Sequence, residues 1–542
     1  MRSDERAAAS PEMAQKTPTG APGVTVDTAP NSAADVVHEA DAAAAGVDAG
    51  RLRAVIAGEA RLTREEAMCL YHRAPLFALG RWADARCRVV HGDRVRTYVI
   101  DRNINYTNVC TAHCTFCAFR RDADDHDAWT LDVEAIRDKV AELVAIGGTQ
   151  ILMQGGMNPA LPLSWYENLL SRIKSEFPQV HIHAFSPPEF IEFVNFFDPP
   201  GDSLEAKLEY VFRRLRQAGL DSLPGGGGEI FAEPVRRKIG YDKCTATAWL
   251  TTMRVAHKLG MYTSATMMFG HIEGIADRID HMDRVRVWQD RSIADFARQG
   301  GGRFKAFISW PFQRENTPLG RLPEWDPANA DGAPFPGDVI ANEALAKGGI
   351  YETDRPKHVA NFAKMIRLAG ATDYLRTQAL SRLYLDNVYS IGASWVTMGP
   401  HIGQVALSFG ANDMGSVMME ENVVSSAGTT YCLTEELLCR LIRNAGFLPA
   451  QRDNVYNLLK VHAGADAPDL RIDDWSTQRA SRLHVQKDRA KKGGETGGSP
   501  ALPASTAAPV TLTVRSAAAI AEEDAPNVPT DTASGGSKGC CS

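Results

Sequence analysis

The sequence predicts a (β/α)8 barrel, a ring of parallel strands wrapped by helices, and three observations lead there. Short apolar bursts alternate with amphipathic stretches, as in "TQILMQGG" before "LSWYENLLSRIKSEF" and "VHIHAFSPPE" before "LEAKLEYVFRRLRQAG". That beat is the pattern of βα units on a parallel sheet. The bursts are rich in Ile, Val, Thr and Phe and end in polar or glycine-containing turns, which suits strands covered on both faces. No GxGxxG follows an early strand, which favours a barrel over the doubly wound open sheet.

Taken in order, strands are expected near residues 97–105, 150–154, 181–185, 220–223, 262–269 and 304–310, with weaker candidates near 387–396 and 413–418. Before them, residues 51–95 read as a helical segment, and residues 1–50, poor in aromatics, as a disordered extension. The barrel is expected over 96–460. Residues 326–350 break its rhythm with Pro, Gly and Ala and read as an inserted surface loop that tolerates deletion. Residues 461–542 repeat the low-complexity bias of the start. Near the end of the barrel, Thr434 is placed to cap a helix whose stripe is Leu437, Leu438, Leu441 and Ile442, with Gly446 closing it.

Composition narrows the class. A net charge of -7 over 542 residues offers no basic face for nucleic acid. No stretch of about 18 uncharged apolar residues suggests a membrane span, and no secretory signal is visible, so a cytoplasmic setting is expected. In a reducing compartment, clustered cysteines point to metal or catalysis rather than to disulfides.

The cluster is "NVCTAHCTFCAF", with Cys110, Cys114 and Cys117 just past the first strand. Their spacing of four and three residues would also suit one face of a core helix. Position at the C-terminal end of a barrel strand, among turn-favouring Thr107, Asn108 and Thr111, argues for chemistry instead. A closed zinc site with His113 as fourth ligand is one reading. The other is a [4Fe-4S] cluster held by three thiolates, which leaves one iron open to a ligand.

CxxxCxxC with Phe116 before its last cysteine resembles the signature of the radical S-adenosylmethionine superfamily. The resemblance implies a [4Fe-4S] cluster whose open iron chelates S-adenosyl-L-methionine and, after one-electron reduction, yields a 5'-deoxyadenosyl radical. It also implies that Phe116 shields the cluster and meets the adenine through its backbone. Further blocks, among them "HIHAFSPPEF", "AGLDSLPGGGGEI", "SWVTMGPHIGQ" and "MMEENVVSSAG", resemble the cyclic dehypoxanthinyl futalosine synthases of menaquinone biosynthesis across about residues 51–460. Related aminofutalosine synthases and FO synthase subunits share several of these blocks. That resemblance implies a radical SAM cyclase acting on dehypoxanthine futalosine, with hydrogen abstraction at ribose C4' and ring closure onto the benzoate. A flavodoxin or ferredoxin is the expected electron donor. A metal-stabilised or electron-transfer iron–sulfur module is the alternative outside catalysis.

Candidate site residues follow. Gln154, Gly155 and Gly156 end a strand where glycine lets backbone amides approach a cofactor, or makes a plain turn. Ser186 and Glu229 stand at strand ends as cofactor contacts. His271, Asp413 and Glu420 are the candidates for the base that takes a proton from the substrate ring. His181 and His183 point to one face of their strand, and Arg120, Arg121 and Arg314 are candidate partners for the benzoate. The terminal Cys540–Cys541 pair has no assigned role.

Overall fold

The computed structural model describes residues 36–92, 94–346, 364–429 and 431–475, and its strands trace a closed parallel ring. The first expected strand is a bent pair, β1 (Val95–Val99) and β2 (Asp101–Ile104). β2 leads to β3 (Gln150–Met153) and β4 (His181–Ala184), each parallel to its neighbour. β5 (Thr263–Phe269), β6 (Phe304–Pro311), β7 (Ser390–Gly392) and β8 (Asp413–Ser416) continue the order back to β1. The expected strand at 220–223 is reduced to single bridges, His183 to Ser222 and Leu223 to Thr263, which carry the ring from β4 to β5.

A hairpin outside the sequence expectation, β9 (Leu448–Arg452) and β10 (Leu458–Val461), lies beside β1, with β9 parallel to it from Val95–Leu448 to Tyr98–Gln451. Leu458, Leu459 and Val461 are exposed, so β10 lacks the buried apolar run that marks a central strand.

Helices cover the outside because their apolar stripes match the strands. Leu204–Ala218 buries Leu208, Val211, Phe212 and Leu215, and the Ser203 side chain caps it by accepting from Ala206 N. Thr434 caps Glu435–Asn444 in the same way through Leu437 N. Among the described residues four helices, Glu39–Ala45, Ala49–Ala57, Arg64–Arg73 and Leu76–His91, precede the barrel.

Three boundary expectations need correction, the first being the tail expected from 461: over its described part His462, Ala467 and Asp469 are buried and Asp469 pairs with Arg443 at 2.6 Å, so the packed chain runs past that point. Residues 1–35 lie outside the described residues, but Glu39–Ala45 is helical and the helix from Ala49 packs Leu52, Val55 and Ile56 inward, so the N-terminal extension is ordered before residue 50. The segment 326–350 is not a bare loop over its described part: it holds the helix Pro336–Ala346. Phe335 is buried there, and Asp338 accepts from Ile275 N at 2.9 Å and pairs with Arg367. Deleting it would uncap the helix Ile275–Phe296, so tolerance is not expected. Cys540 and Cys541 lie outside the described residues.

His257 shows how the barrel ties helices together. Its Nδ1 meets Ser292 Oγ and its Nε2 meets Thr263 Oγ1, both at 2.8 Å, joining Ala246–Lys258 to the next helix and to β5. Burial pushes this imidazole down to about 3. Between that value and the ordinary 6.5, the unfolded chain binds a proton that the fold refuses. Stability therefore falls as pH drops through this window, by up to roughly 1.4 kcal/mol per pH unit from this group. Urea unfolding at pH 7 and pH 5 is expected to show a smaller loss in His257→Gln than in the parent, and equal losses would refute the assignment.

Candidate active site

The cysteine loop leaves the C-terminal end of β2 without forming a helix. Its path is fixed by backbone bonds, Cys110 N to Arg121 O at 3.1 Å and Thr111 N to Met157 O at 3.0 Å, and by the Asn108 side chain, which accepts from Trp129 N at 2.8 Å. Asn108 and Thr107 thus do the turn work their composition suggested. All three thiols line one cavity of about 480 Å³ that runs into the barrel. A Cβ on Gly156 would lie 2.0 Å from Val109 O and 2.9 Å from Cys110 Cβ, so glycine is what lets this turn close against the loop.

Among the described residues, no three His, Cys, Asp or Glu side chains converge as ligands of a single ion. His113, the fourth ligand of the zinc reading, faces Arg120, Asp122 and Asp242 instead. The three thiols fit a larger soft group. Burial pushes Cys110 up and Cys114 up to about 12, while Lys243 pulls both down. They sense one another's charge, and ligation to iron would replace the water their thiolates lack.

Lys243, which no sequence pattern flagged, donates to Glu229 Oε1 at 2.7 Å and lies 5.0 Å from the Phe116 ring centroid. Glu229 Oε2 is buried with no partner among the described residues, and Glu229 itself sits at φ 35°, in the left-handed region. An orphaned buried carboxylate oxygen on a strained backbone is a polar contact awaiting a ligand. Phe116, Gln154, Gly155, Gly156, Ser186 and Glu229 all line the cavity. Ser186 gives both N–H and O–H to Glu189 Oε2, at 2.7 and 2.6 Å, and Glu189 also accepts from Tyr106 and Gly155 N. Burial raises the Glu189 carboxyl despite those donors.

The three candidate bases fare differently. His271 is fully buried outside the cavity lining, its Nδ1 2.8 Å from Ile272 N and 3.0 Å from Glu273 Oε2. Beside it, burial would raise Glu273, but His271 and Arg278 hold it well below the usual carboxylate range. Both are framework, and the strand-end position misled because the turn folds away from the barrel axis. Glu420 also lies outside the lining, held by Arg102 at 2.9 Å and Lys139 at 2.8 Å. Its neighbour Glu421 lines the cavity but accepts from Asn103 and from Val423 and Val424 N. Asp413 does line the cavity, yet Arg452 grips it at 2.6 and 2.9 Å and Thr97 Oγ1 donates to it at 2.5 Å. Arg120 stands at the rim; Arg121 and Arg314 do not line the cavity.

The far wall and floor come from residues the sequence reading missed. Asp101, Gln150, Asn454, Tyr456 and Arg452 form a polar end, and Leu152, Ile308, Trp310 and Ala393 an apolar middle.

Comparison with known proteins fits this geometry. Residues 104–285 match the model of the radical SAM superfamily, and residues 353–464 match that of the CofH/MqnC C-terminal region. The chain is 37% identical over 77% of its length to a cyclic dehypoxanthine futalosine synthase of Halalkalibacterium halodurans, covering 96% of that protein. A protein of the same name from Streptomyces coelicolor is 38% identical over 74% of this chain and 86% of its own. A 5-amino-6-(D-ribitylamino)uracil–L-tyrosine 4-hydroxyphenyl transferase of Methanopyrus kandleri is 37% identical over 70% of this chain and 88% of its own.

Proposed function

Because the chain belongs to the radical S-adenosylmethionine superfamily, in the group with a CofH/MqnC C-terminal region, we propose that it is a cyclase acting on dehypoxanthine futalosine. The observation that carries this reading is similarity over 77% and 74% of the chain to two proteins of that name, joined to a cavity that begins at three thiols and ends in a closed, largely apolar barrel. A cavity of about 480 Å³ is of the size that accepts a nucleoside-like ligand.

Cys110, Cys114 and Cys117 would hold a [4Fe-4S] cluster. With S-adenosyl-L-methionine on its open iron, the cluster supplies a carbon-centred radical from one electron, delivered by a carrier such as flavodoxin or ferredoxin. The chain's residues do the rest. The Gly155 and Gly156 N–H groups are taken by Glu189 and Thr107 O, so their carbonyls, the Gln154 side chain, the Ser186 hydroxyl oxygen as an acceptor and the free Glu229 oxygen offer the polar contacts to the methionine and ribose, and Phe116 covers the cysteine loop. Leu152, Ile308, Trp310 and Ala393 keep water and other hydrogen donors from the substrate radical, so that ribose C4' meets the aromatic ring first. Preorganised contact of this kind is what converts an indiscriminate radical into one product.

The test is anaerobic reconstitution of the full chain with iron, sulfide, S-adenosyl-L-methionine and a reductant, followed by incubation with dehypoxanthine futalosine. The expected product is two hydrogens lighter than the substrate and forms together with 5'-deoxyadenosine. Similarity to the hydroxyphenyl transferase favours a second reading, in which L-tyrosine and 5-amino-6-(D-ribitylamino)uracil are consumed instead and the nucleoside is left intact.

A further inference from the structure

Ring closure at C4' adds a carbon radical to an arene, and restoring aromaticity then breaks one ring C–H bond. Its proton goes to a base and its remaining electron to a one-electron acceptor, the oxidised iron–sulfur cluster being the one at hand. Most acids and bases lining the cavity are engaged. Asp413 is gripped by Arg452, Glu189 and Glu421 accept several donors each, and Asp101 accepts from Gln150 and Ser416. The orphaned oxygen of Glu229 sits with Lys243 at the cysteine end.

His183 on β4 differs. Its ring lines the cavity, and its Nδ1 lies 2.6 Å from Ser222 Oγ. No partner among the described residues engages Nε2, which is not sealed from solvent as buried orphans are. His257 is the contrast: both of its nitrogens are bonded, and it lies outside the cavity. Ser222 Oγ also lies 2.7 Å from His181 Nε2, and it reaches Asn454 Oδ1 at 3.3 Å. His181 is half-buried, near Asp221, Lys174 and Asp453. Asp221 and Lys174 form a 2.6 Å pair whose side chains are 32% and 24% exposed, so this end reaches water.

We propose that His183 accepts the ring proton and that Ser222 and His181 carry it to the surface beside Asp221 and Lys174. Resting on the cyclisation reading, the relay needs Nδ1–H on His183 donating to Ser222 Oγ, and the Ser222 hydroxyl donating to a bare Nε2 of His181. As Nε2 of His183 takes the new proton, Nδ1 gives its own to Ser222, which passes its hydroxyl proton to His181. Ser222 ends unchanged and His183 ends neutral with its proton moved to Nε2; the charge rests on His181 at the end that reaches water, and His181, which burial holds below the ordinary histidine value, releases a proton to solvent there. Burial, together with His181 and Arg452, holds His183 well below the ordinary histidine value. It is therefore neutral and able to accept, and a weak base suffices because the rearomatising radical is a strong carbon acid.

The experiment uses the reconstituted full chain with substrate deuterated at C4', comparing the parent, His183→Gln and Ser222→Ala. Deuterium should enter 5'-deoxyadenosine at near-parent rates in all three, showing that fold and radical generation are intact. Cyclised product per 5'-deoxyadenosine should fall at least tenfold in His183→Gln, in keeping with the 10²–10⁴ of general base catalysis, and by less in Ser222→Ala, where water can replace the hydroxyl. An unchanged ratio in both variants overturns the relay. So does a matched fall of deuterium transfer and product, which marks a merely structural role. A parent enzyme that transfers no deuterium sinks the cyclisation reading, and the relay with it.

Discussion

A Cys114→Ala chain reconstituted with iron and sulfide forms no 5'-deoxyadenosine and holds less iron than the parent, while its unfolding midpoint stays close to the parent's. The expectation follows from where the sulfur sits. Cys114 lies in a loop fixed by backbone bonds of its neighbours, Thr115 N to Ile239 O at 2.8 Å and Cys110 N to Arg121 O at 3.1 Å, none of which uses the thiol. Removing one sulfur there costs little packing. It does remove a third of the ligand set, and an iron–sulfur cluster held by two thiolates has two open irons and is easily lost. Iron and sulfide assays, the visible spectrum, and chromatography for 5'-deoxyadenosine check the outcome. Cys244→Ala is the control: that thiol is half-buried, accepts weakly from Arg236 at 3.7 Å, and does not line the cavity. Its loss should leave iron loading intact. Parent-level iron in Cys114→Ala would falsify the three-thiolate reading.

The parts of this site that were legible in the sequence are those set by short-range chemistry. Three thiols within eight positions, a glycine pair after a strand, and Ser186 at a strand end are local patterns, and all of them meet at one cavity. Strands with apolar runs, such as β3 and β5, were legible for a similar reason, whereas β2 (DRNI), β4 (HIHA) and β8 (DMGS) are buried although largely polar, several of their polar side chains lining the cavity. The failures are long-range. Whether Glu420 or Glu421 faces the barrel depends on a turn around Met418, at φ 54°, that no residue pattern announces. His271 stands two residues past the end of β5, where an active-site residue is expected, yet the chain turns at Gly270, φ 85°, and buries it against Phe312. Lys243 matters because Glu229 is near, fourteen residues earlier in the chain. The hairpin β9–β10 was missed because its exposed Leu458, Leu459 and Val461 and its Pro449 resemble a surface tail. What it inserts into the cavity lining is Arg452, Asn454 and Tyr456.

That insertion leads to the largest expected stability effect. Arg452, from β9, is 7% exposed and holds Asp413, 2% exposed, through two hydrogen bonds. Its guanidinium also lies 4.0 Å from the Tyr456 ring centroid, and Tyr456 is kept at φ 68°, a conformation that costs energy in any residue but glycine. Arg452→Met should destabilise the protein by about 3–5 kcal/mol, because it leaves the Asp413 carboxylate buried without its cation. Adding Asp413→Asn should recover a large share, since the charge that needed compensation is then gone. If the single variant suffered only from lost packing, the second substitution would bring no recovery, so urea unfolding of the two variants and the double separates the explanations. The same comparison bears on the site. Arg452, Asn454 and Tyr456 form the polar end of the cavity, and Asn454 ties that end to Gln150 at 2.8 Å and to Ser222 at 3.3 Å. A double variant that refolds stably but produces 5'-deoxyadenosine out of proportion to cyclised product would mean that the hairpin serves less to hold the barrel shut than to set the depth at which the substrate ring rests.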